Sequence, residues 1–502
     1  MRKSLSIILM LGCFFVLSAQ VASFKITQIK TNSKATRMDL YKNEKNEIIL
    51  NPLTPSWYKY NPFYDAQENN GKLILNHYNA NINFIGESDI SLKDNSLLQT
   101  FSFGDKNVAL LESYNKDIWT LGYAVFDGAK ITPAQGKKLC DFPIGSRSNK
   151  NLAVLVSQNK EYFGLINAFE IKGAGIINVA VYDKDFNQVW IRKGINIPAK
   201  FENIGVESST ITNTGDVMVL MESYDKTRRS ITQYEMAVLT INGERNDKEV
   251  VSIRGMLPMR SKISVNNNMF LISGFYYLPD RRGYQGMYAI NTEIQTPDFS
   301  NIKTLKFSSE FINNFLLRPN YKGNNPLELG NVYIRNIHPT NDQGYLLVVE
   351  KFEMTIIYNN KSSTEYLYED GSIFYVKVNK DGNFEHLNSF MKWNYSKNSG
   401  GNINSFASIA TENTAYVFYN VSSKQLNLPL DNIKKNKFSS KTNNIECIEI
   451  DLQTGKNKRF MILPADQKAI WIERQVLHLG DKDFAFVART KSKRFLCKVT
   501  LK

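Results

Sequence analysis

Tyr345-Leu346-Leu347-Val348-Val349-Glu350 and, further on, Ile373-Phe374-Tyr375-Val376-Lys377-Val378-Asn379-Lys380-Asp381-Gly382 are the stretch from which the fold can be read. The first run is apolar and ends on a glutamate. The second is apolar and ends in an Asn/Asp/Gly turn. Ahead of the pair stand the turn Asn341-Asp342-Gln343-Gly344 and a short strand, Tyr333–Ile337. Turn residues of this kind tolerate positive φ or close Asx turns, so they mark hairpins. The second-strand run recurs as Val108–Leu111, Ala153–Val156, Val217–Met221, Met269–Ser273, Ala415–Tyr419 and Phe484–Ala488. The third-strand run recurs too, ending at Asp127, Asp183, Asn242, Asn291, Asn379, Asp451 and near Leu501. First strands such as Ser208–Thr212 and Phe406–Ala410 precede these pairs. Fourth strands such as Gln188–Arg192, Glu249–Ile253, Thr304–Phe307 and Arg459–Ile462 follow them.

A four-strand unit repeated along a chain predicts an all-β fold, a single β-propeller of four-stranded antiparallel blades. Seven blades are expected, with six or eight as open alternatives, because residues 36–91 are hard to parse. The last unit stops at Lys502 without a fourth strand, so an N-terminal strand is expected to close the ring, from Phe24–Ile29 or Leu73–Asn76. Closure of this kind removes an exposed edge. The expected organisation is a signal peptide over 1–19, an N-terminal arm with the ring-closing strand over 20–95, and blades over 96–502. Pro52, Pro55, Trp57, Tyr58, Tyr60, Pro62, Phe63 and Tyr64 lie in the arm.

The chain has 502 residues, 25 Tyr and 30 Phe, and a net charge of +14. Such composition favours strands. Arg2 and Lys3, the apolar run Leu5–Leu17 and the small residues of Leu17-Ser18-Ala19 read as an export signal cut before Gln20. A lipid anchor on Cys13 is the alternative. No later segment is long and apolar enough to span a bilayer. Without the signal, Cys140, Cys447 and Cys497 remain, an odd number that argues against a disulfide framework. The positive charge reads as a solvated lysine surface, and an exported chain is not expected to bind nucleic acid.

The chain resembles secreted β-propeller proteins of Bacteroidota. The resemblance rests on the Leu-Ser-Ala-Gln signal end, on Val181-Tyr182-Asp183-Lys184-Asp185-Phe186-Asn187-Gln188-Val189-Trp190, on Ile373–Gly382 and on the short C-terminal strand pair. It implies a propeller and export, with no defined activity. Some exported propellers of these bacteria serve outer-membrane type IX secretion and gliding machinery as accessory subunits. The chain shows no C-terminal sorting domain of that system's cargo, which points to a periplasmic or outer-membrane-associated protein rather than an extracellular one.

Catalytic motifs are absent: there is no Gly-x-Ser-x-Gly elbow, no His-Glu-x-x-His and no phosphate loop. His77, His338, His386 and His478 are scattered; His338 and His478 lie in or beside first strands, where they could approach the central channel. Asp183–Asn187 starts like a calcium loop but lacks its later glycine and glutamate, so it reads as a blade turn. No metal or cofactor is expected.

The informative constellation is positional. Loops between second and third strands leave on one face, and the residues closing second strands recur there as Glu112, Ser157, Glu222, Gly274, Glu350, Asn420 and Arg489. Two positions on stand Tyr114, Tyr224, Tyr276 and Phe352. Long loops follow, with Arg228 and Arg229 in one and Tyr277, Arg281, Arg282 and Tyr284 in another. Aromatics and arginines over a rigid ring make a recognition surface. The expected function is a non-enzymatic binding or scaffold propeller that offers this face to a protein partner in the cell envelope, as an accessory subunit of a secretion or envelope assembly. The alternative is a glycan-binding or carbohydrate-active propeller using the same face, for which the three glutamates would have to supply a carboxylate pair.

Overall fold

The computed structural model describes residues 20–21, 23–29, 37–42, 48–53, 72–91, 96–126, 131–144, 151–171, 174–197, 203–227, 230–251, 253, 255–278, 283–318, 322, 327–359, 363–397, 406–422, 436–437, 443–462, 471–489 and 494–501. They form a β-propeller of eight blades, each built on a four-stranded antiparallel meander. The eighth unit comes from the segment expected to be an arm. Arg37–Lys42, Ile48–Leu53, Lys72–Tyr78 and Phe84–Ser91 pair in order as blade 1. The aromatic, proline-rich residues 54–71 separate its second and third strands and lie outside the described residues.

The apolar runs do not alternate with polar residues because each blade is sandwiched between two neighbours. A strand buried on both faces is apolar throughout, and successive side chains still point to opposite faces. Val217, Val219 and Met221 therefore enter the core shared with blade 3, while Met218 and Leu220 enter the core shared with blade 5. Tyr345, Leu347 and Val349 face blade 5, and Leu346 and Val348 face blade 7. Eight such cores run round the molecule, one at each seam. The seam between blades 8 and 1 packs Leu40, Ile48, Leu50 and Tyr78 on Ala485, Val487 and Leu496, so the ring is closed. Each fully buried aliphatic side chain contributes about 1.5–3 kcal/mol.

The expected N-terminal strand completes blade 8. Ser23–Gln28 pairs antiparallel with Arg494–Thr500, and Gln20–Val21 pairs in parallel with the outer strand of blade 7. The third strands of blades 2, 3, 4, 6, 7 and 8 end within a residue of where the sequence marks them, and that of blade 5 runs on past Asn291 to Glu293. The Asx turns there are visible: Oδ1 of Asp183 accepts the amides of Asp185 and Asn187, and Oδ1 of Asn379 accepts those of Asp381 and Asn383. Burial opposes ionisation of Asp183, but the hydrogen bonds from Asn187 and Asp185 outweigh it and hold the carboxyl below its ordinary range. The turn thus uses its own carboxylate.

One second-strand assignment is corrected. Ala153–Val156 lies in the inner strand of blade 3, Leu152–Val156, and the second strand is Tyr162–Ile171. Ser157 consequently sits at the opposite end of the blade from Glu112, Glu222 and Glu350. The turn that follows it reaches past blade 4: Gln158 Nε2 donates to Asn266 Oδ1 of blade 5 at 3.0 Å, and the Asn267 amide donates to Gln158 Oε1 at 2.6 Å. Cys140, Cys447 and Cys497 are free buried thiols. Among the described residues no helix is long and apolar enough to cross a membrane.

Candidate interaction face

The face to which second strands run carries the second-to-third hairpins and the connections from one blade to the next. Glu112, Glu222 and Glu350 occupy one register position there, opposite Leu121, Met236 and Ile373 of the third strands. Their surroundings differ. Trp119 Nε1 donates to Glu112 Oε2 at 2.6 Å. The Ser261 amide of blade 5 donates to Glu222 Oε1 at 3.1 Å, linking two blades. Glu350 is fully buried; Arg335 Nε donates to one oxygen at 3.1 Å and Lys392 Nζ to the other at 2.8 Å. All three carboxylates therefore tie strands together.

Two expected surface tyrosines are packing residues instead. Tyr276 is buried in the core between blades 4 and 5, where it lies over Gly286; a Cβ on that glycine would come within 2.7 Å of the Tyr276 ring and 2.1 Å of Leu305 O. Tyr284 is buried between blades 5 and 6, and burial pushes its hydroxyl pKa well up. Tyr277 is half-buried, with its ring centroid 4.7 Å from that of Tyr284. Arg228, Arg229, Arg281 and Arg282 lie outside the described residues, as does the side chain of Tyr224. His338 and His478 do lie on inner strands, where His338 Nε2 meets Ser408 Oγ at 2.9 Å and burial depresses its pKa to about 4. Among the described residues no group of His, Cys, Asp and Glu is placed to hold a metal ion.

What the structure does assemble is an array of rings and guanidinium groups across blades 5 and 6. Arg260 lies 5.8 Å from the Tyr284 ring centroid and 3.7 Å from that of Tyr333. Arg335 lies 5.2 Å from the Tyr333 centroid and 5.0 Å from that of Phe352. Phe352 continues to Tyr368, and Tyr368 stacks on Tyr366, each pair at 6.5 Å. Stacking a guanidinium on an aromatic face contributes about 0.5–1 kcal/mol where exposed and more where desolvated.

Sequence reasoning missed Arg260, Tyr333 and Arg335 because they belong to inner strands. Both arginines sit at β-bulges, between Met259 and Lys262 in blade 5 and between Ile334 and Asn336 in blade 6. A bulge re-aims a side chain and breaks the alternation that would have shown it. Arg260 has φ +53° and donates from Nη1 to Val332 O of the next blade at 2.8 Å. Bulges recur in the same half of the inner strands of blades 2, 4 and 8. In blade 8 Gln475 exchanges hydrogen bonds with the Leu40 backbone of blade 1.

The array leads onto a hairpin that outgrows its blade. Tyr345–Asn359 and Ser363–Val378 stay paired to Asn359 opposite Ser363, whereas the inner strand stops at Val332 opposite Lys351. Asn394–Lys397 and then Asn436–Lys437 join the far side of this extension. On it Met354, Ile356 and Tyr358 are exposed, Tyr358 at 77%. They are three of the nine exposed large hydrophobic residues among the described residues, and they share one face of one strand.

No family model and no curated protein matches the chain. Among solved structures it is similar to the polysaccharide lyase Uly1, with 9% identity, a TM-score of 0.39 and coverage of 95% of this chain and 92% of that one. Prolyl oligopeptidase B from Galerina marginata is similar at 10% identity and a TM-score of 0.40, over 95% of this chain and 56% of that one. The β-propeller domain of the Trilobed protease from Pyrococcus furiosus is similar at 9% and 0.36, over 81% and 95%. Likenesses this distant carry nothing about ligand or reaction.

Proposed function

We propose that the protein is an exported, non-enzymatic binding or scaffold propeller whose hairpin face at blades 5 and 6 docks a protein partner of the cell envelope, as an accessory subunit of an envelope or secretion assembly. The observation that carries this reading is the exposed stripe of Met354, Ile356 and Tyr358 at the end of the ring–guanidinium array. Among the described residues no other second strand exposes a large apolar side chain, so three such side chains at alternate positions on a projecting strand mark a contact surface. Aromatic anchors beside arginines are the residues that dominate protein interfaces. The charged, apolar and small-residue leader over 1–19 supports export.

Affinity capture from envelope extract tests the reading, with a Met354→Asp/Tyr358→Asp variant as control. The wild-type protein is expected to retain a partner that the variant loses at least tenfold. Capture of nothing, or of the same protein equally by both, overturns it.

A further inference from the structure

Arg260 carries a charge that the described residues leave unanswered. A guanidinium has five N–H donors, and Arg260 commits Nη1 to the carbonyl of Val332 in the next blade. It makes no ion pair among the described residues. Two carboxylates of the same face are bound elsewhere: Glu222 accepts from the Ser261 amide, and Glu350 is held by Arg335 and Lys392. A neutral carbonyl needs no fixed positive charge, so stitching the seam between blades 5 and 6 does not explain an arginine here.

The side chain is also held in place. Its backbone sits at φ +53°, a conformation uncommon outside glycine, on a bulge that re-aims it. The rings of Tyr284 and Tyr333 flank the guanidinium, 5.8 and 3.7 Å from centroid to Cζ. Stacking of this kind occupies the faces of a guanidinium and leaves its N–H edges for a planar acceptor. Arg335 brings a second positive charge to the same Tyr333 ring, at 5.2 Å. Arg260 and Tyr333 are both partly exposed, so a ligand can reach them.

This cation is continuous with the exposed stripe. The Tyr333 ring lies 6.1 Å from that of Phe352, and Met354, Ile356 and Tyr358 follow Phe352 on the same face of its strand. We infer that Arg260, clamped between Tyr284 and Tyr333, anchors an aspartate or glutamate carboxylate of the partner protein, whose neighbouring apolar residues cover Met354, Ile356 and Tyr358. A carboxylate matches the planar fork of a guanidinium, and the charge-assisted hydrogen bonds it accepts are stronger than neutral ones. An acidic segment is also what a chain of net charge +14 draws toward itself. The inference rests on the binding-face reading and names the chemistry of its partner.

The probe is a fluorescein-labelled peptide of alternating glutamate and valine, titrated with the chain from Gln20 onward by fluorescence anisotropy at physiological salt. Saturable binding is expected, at least tenfold tighter than that of the matching glutamine/valine or lysine/valine peptide. Arg260→Gln should weaken it at least tenfold. Arg260→Lys keeps the charge but loses the fork, and should weaken it at least threefold; it decides the matter if Arg260→Gln does not fold. Arg245→Gln removes the same charge from an exposed arginine at the short-turn end of blade 4, away from the hairpin face, and should leave binding within twofold. Absence of binding, a glutamine/valine peptide that binds as tightly as the acidic one, unchanged binding by either Arg260 variant, or an equal loss for Arg245→Gln would each overturn the proposal. So would oligogalacturonate that binds through Arg260 more tightly than the peptide, since the site would then belong to an acidic glycan. If the peptide fails while Met354→Asp/Tyr358→Asp still abolishes partner capture, the carboxylate anchor falls and the binding face stands.

Discussion

Glu350 and Glu112 show how much one sequence position can hide. Both close a second strand at the same register, and in the sequence they look like one residue repeated. Glu350 is fully buried between Arg335 and Lys392, whereas Glu112 is partly exposed and accepts from the Trp119 indole. Removing one member of a buried ion cluster leaves uncompensated charge and costs about 3–5 kcal/mol. Losing the charge at a half-exposed hydrogen bond costs about 1 kcal/mol. Urea denaturation should therefore find Glu350→Gln destabilised by about 3–5 kcal/mol and Glu112→Gln by about 1 kcal/mol. Equal losses would show that the buried cluster does not set the difference. The repeat made the position legible, but not the partners: Arg335 and Lys392 lie 15 and 42 residues away and meet Glu350 only through the fold. For the same reason Tyr276 and Tyr284 looked like surface aromatics, since nothing local reveals that Gly286 makes room for a buried ring.

At the scale of elements, the paired second and third strands mark blades 2 and 4 to 8 in the sequence, but not blade 1. Blade 1 has the same ingredients: Ile48-Ile49-Leu50 in its second strand and a third strand, Lys72–Tyr78, ending at Asn79. Eighteen residues of proline and aromatic sequence, 54–71, part the two runs and concealed the pair. The structure supplies the check, because Asn79 Oδ1 accepts the amides of Asn81 and Asn83 as Asn379 Oδ1 accepts those of Asp381 and Asn383. Asn79→Ala and Asn379→Ala should each cost about 1–2 kcal/mol for two turn hydrogen bonds. Thermal unfolding that shifts for Asn379→Ala alone would mean that the turn of blade 1 does not act as the others do. Blade 3 failed in the opposite way. Its inner strand, Leu152–Val156, is as apolar as a second strand, and a run of four apolar residues carries no mark of its place in the sheet. The bulges that hold Arg260 and Arg335 escaped for a related reason, since they interrupt the period by which strands are recognised.

At the scale of the whole molecule, eight seams carry eight cores, but seven of the joins between neighbouring blades are also made by chain running directly from one to the next. The remaining seam, between blades 8 and 1, depends on residues at the two ends of the sequence. Ser23–Gln28 supplies the fourth strand of blade 8 and leads through Ile29, which packs in that seam, to the first strand of blade 1. Gln20–Val21 extends the same strap to blade 7. A leader cut after Ala19, as the sequence leads one to expect, would make the first residues of the mature chain the ones that fasten the ring. A chain lacking residues 20–28 keeps its eight apolar cores but exposes the edge of Arg494–Thr500, with six backbone pairings lost there. At about 0.5–1.5 kcal/mol for each hydrogen bond, the loss is of order several kcal/mol, and the bare edge is a template for association. Such a chain should unfold at lower urea concentration and associate with rising protein concentration in sedimentation velocity. A synthetic peptide of residues 20–29, added in excess, should restore both the midpoint and the monomer. A truncated chain that stays monomeric with an unchanged midpoint would show that side-chain packing at the seam suffices to hold the ring without the strap.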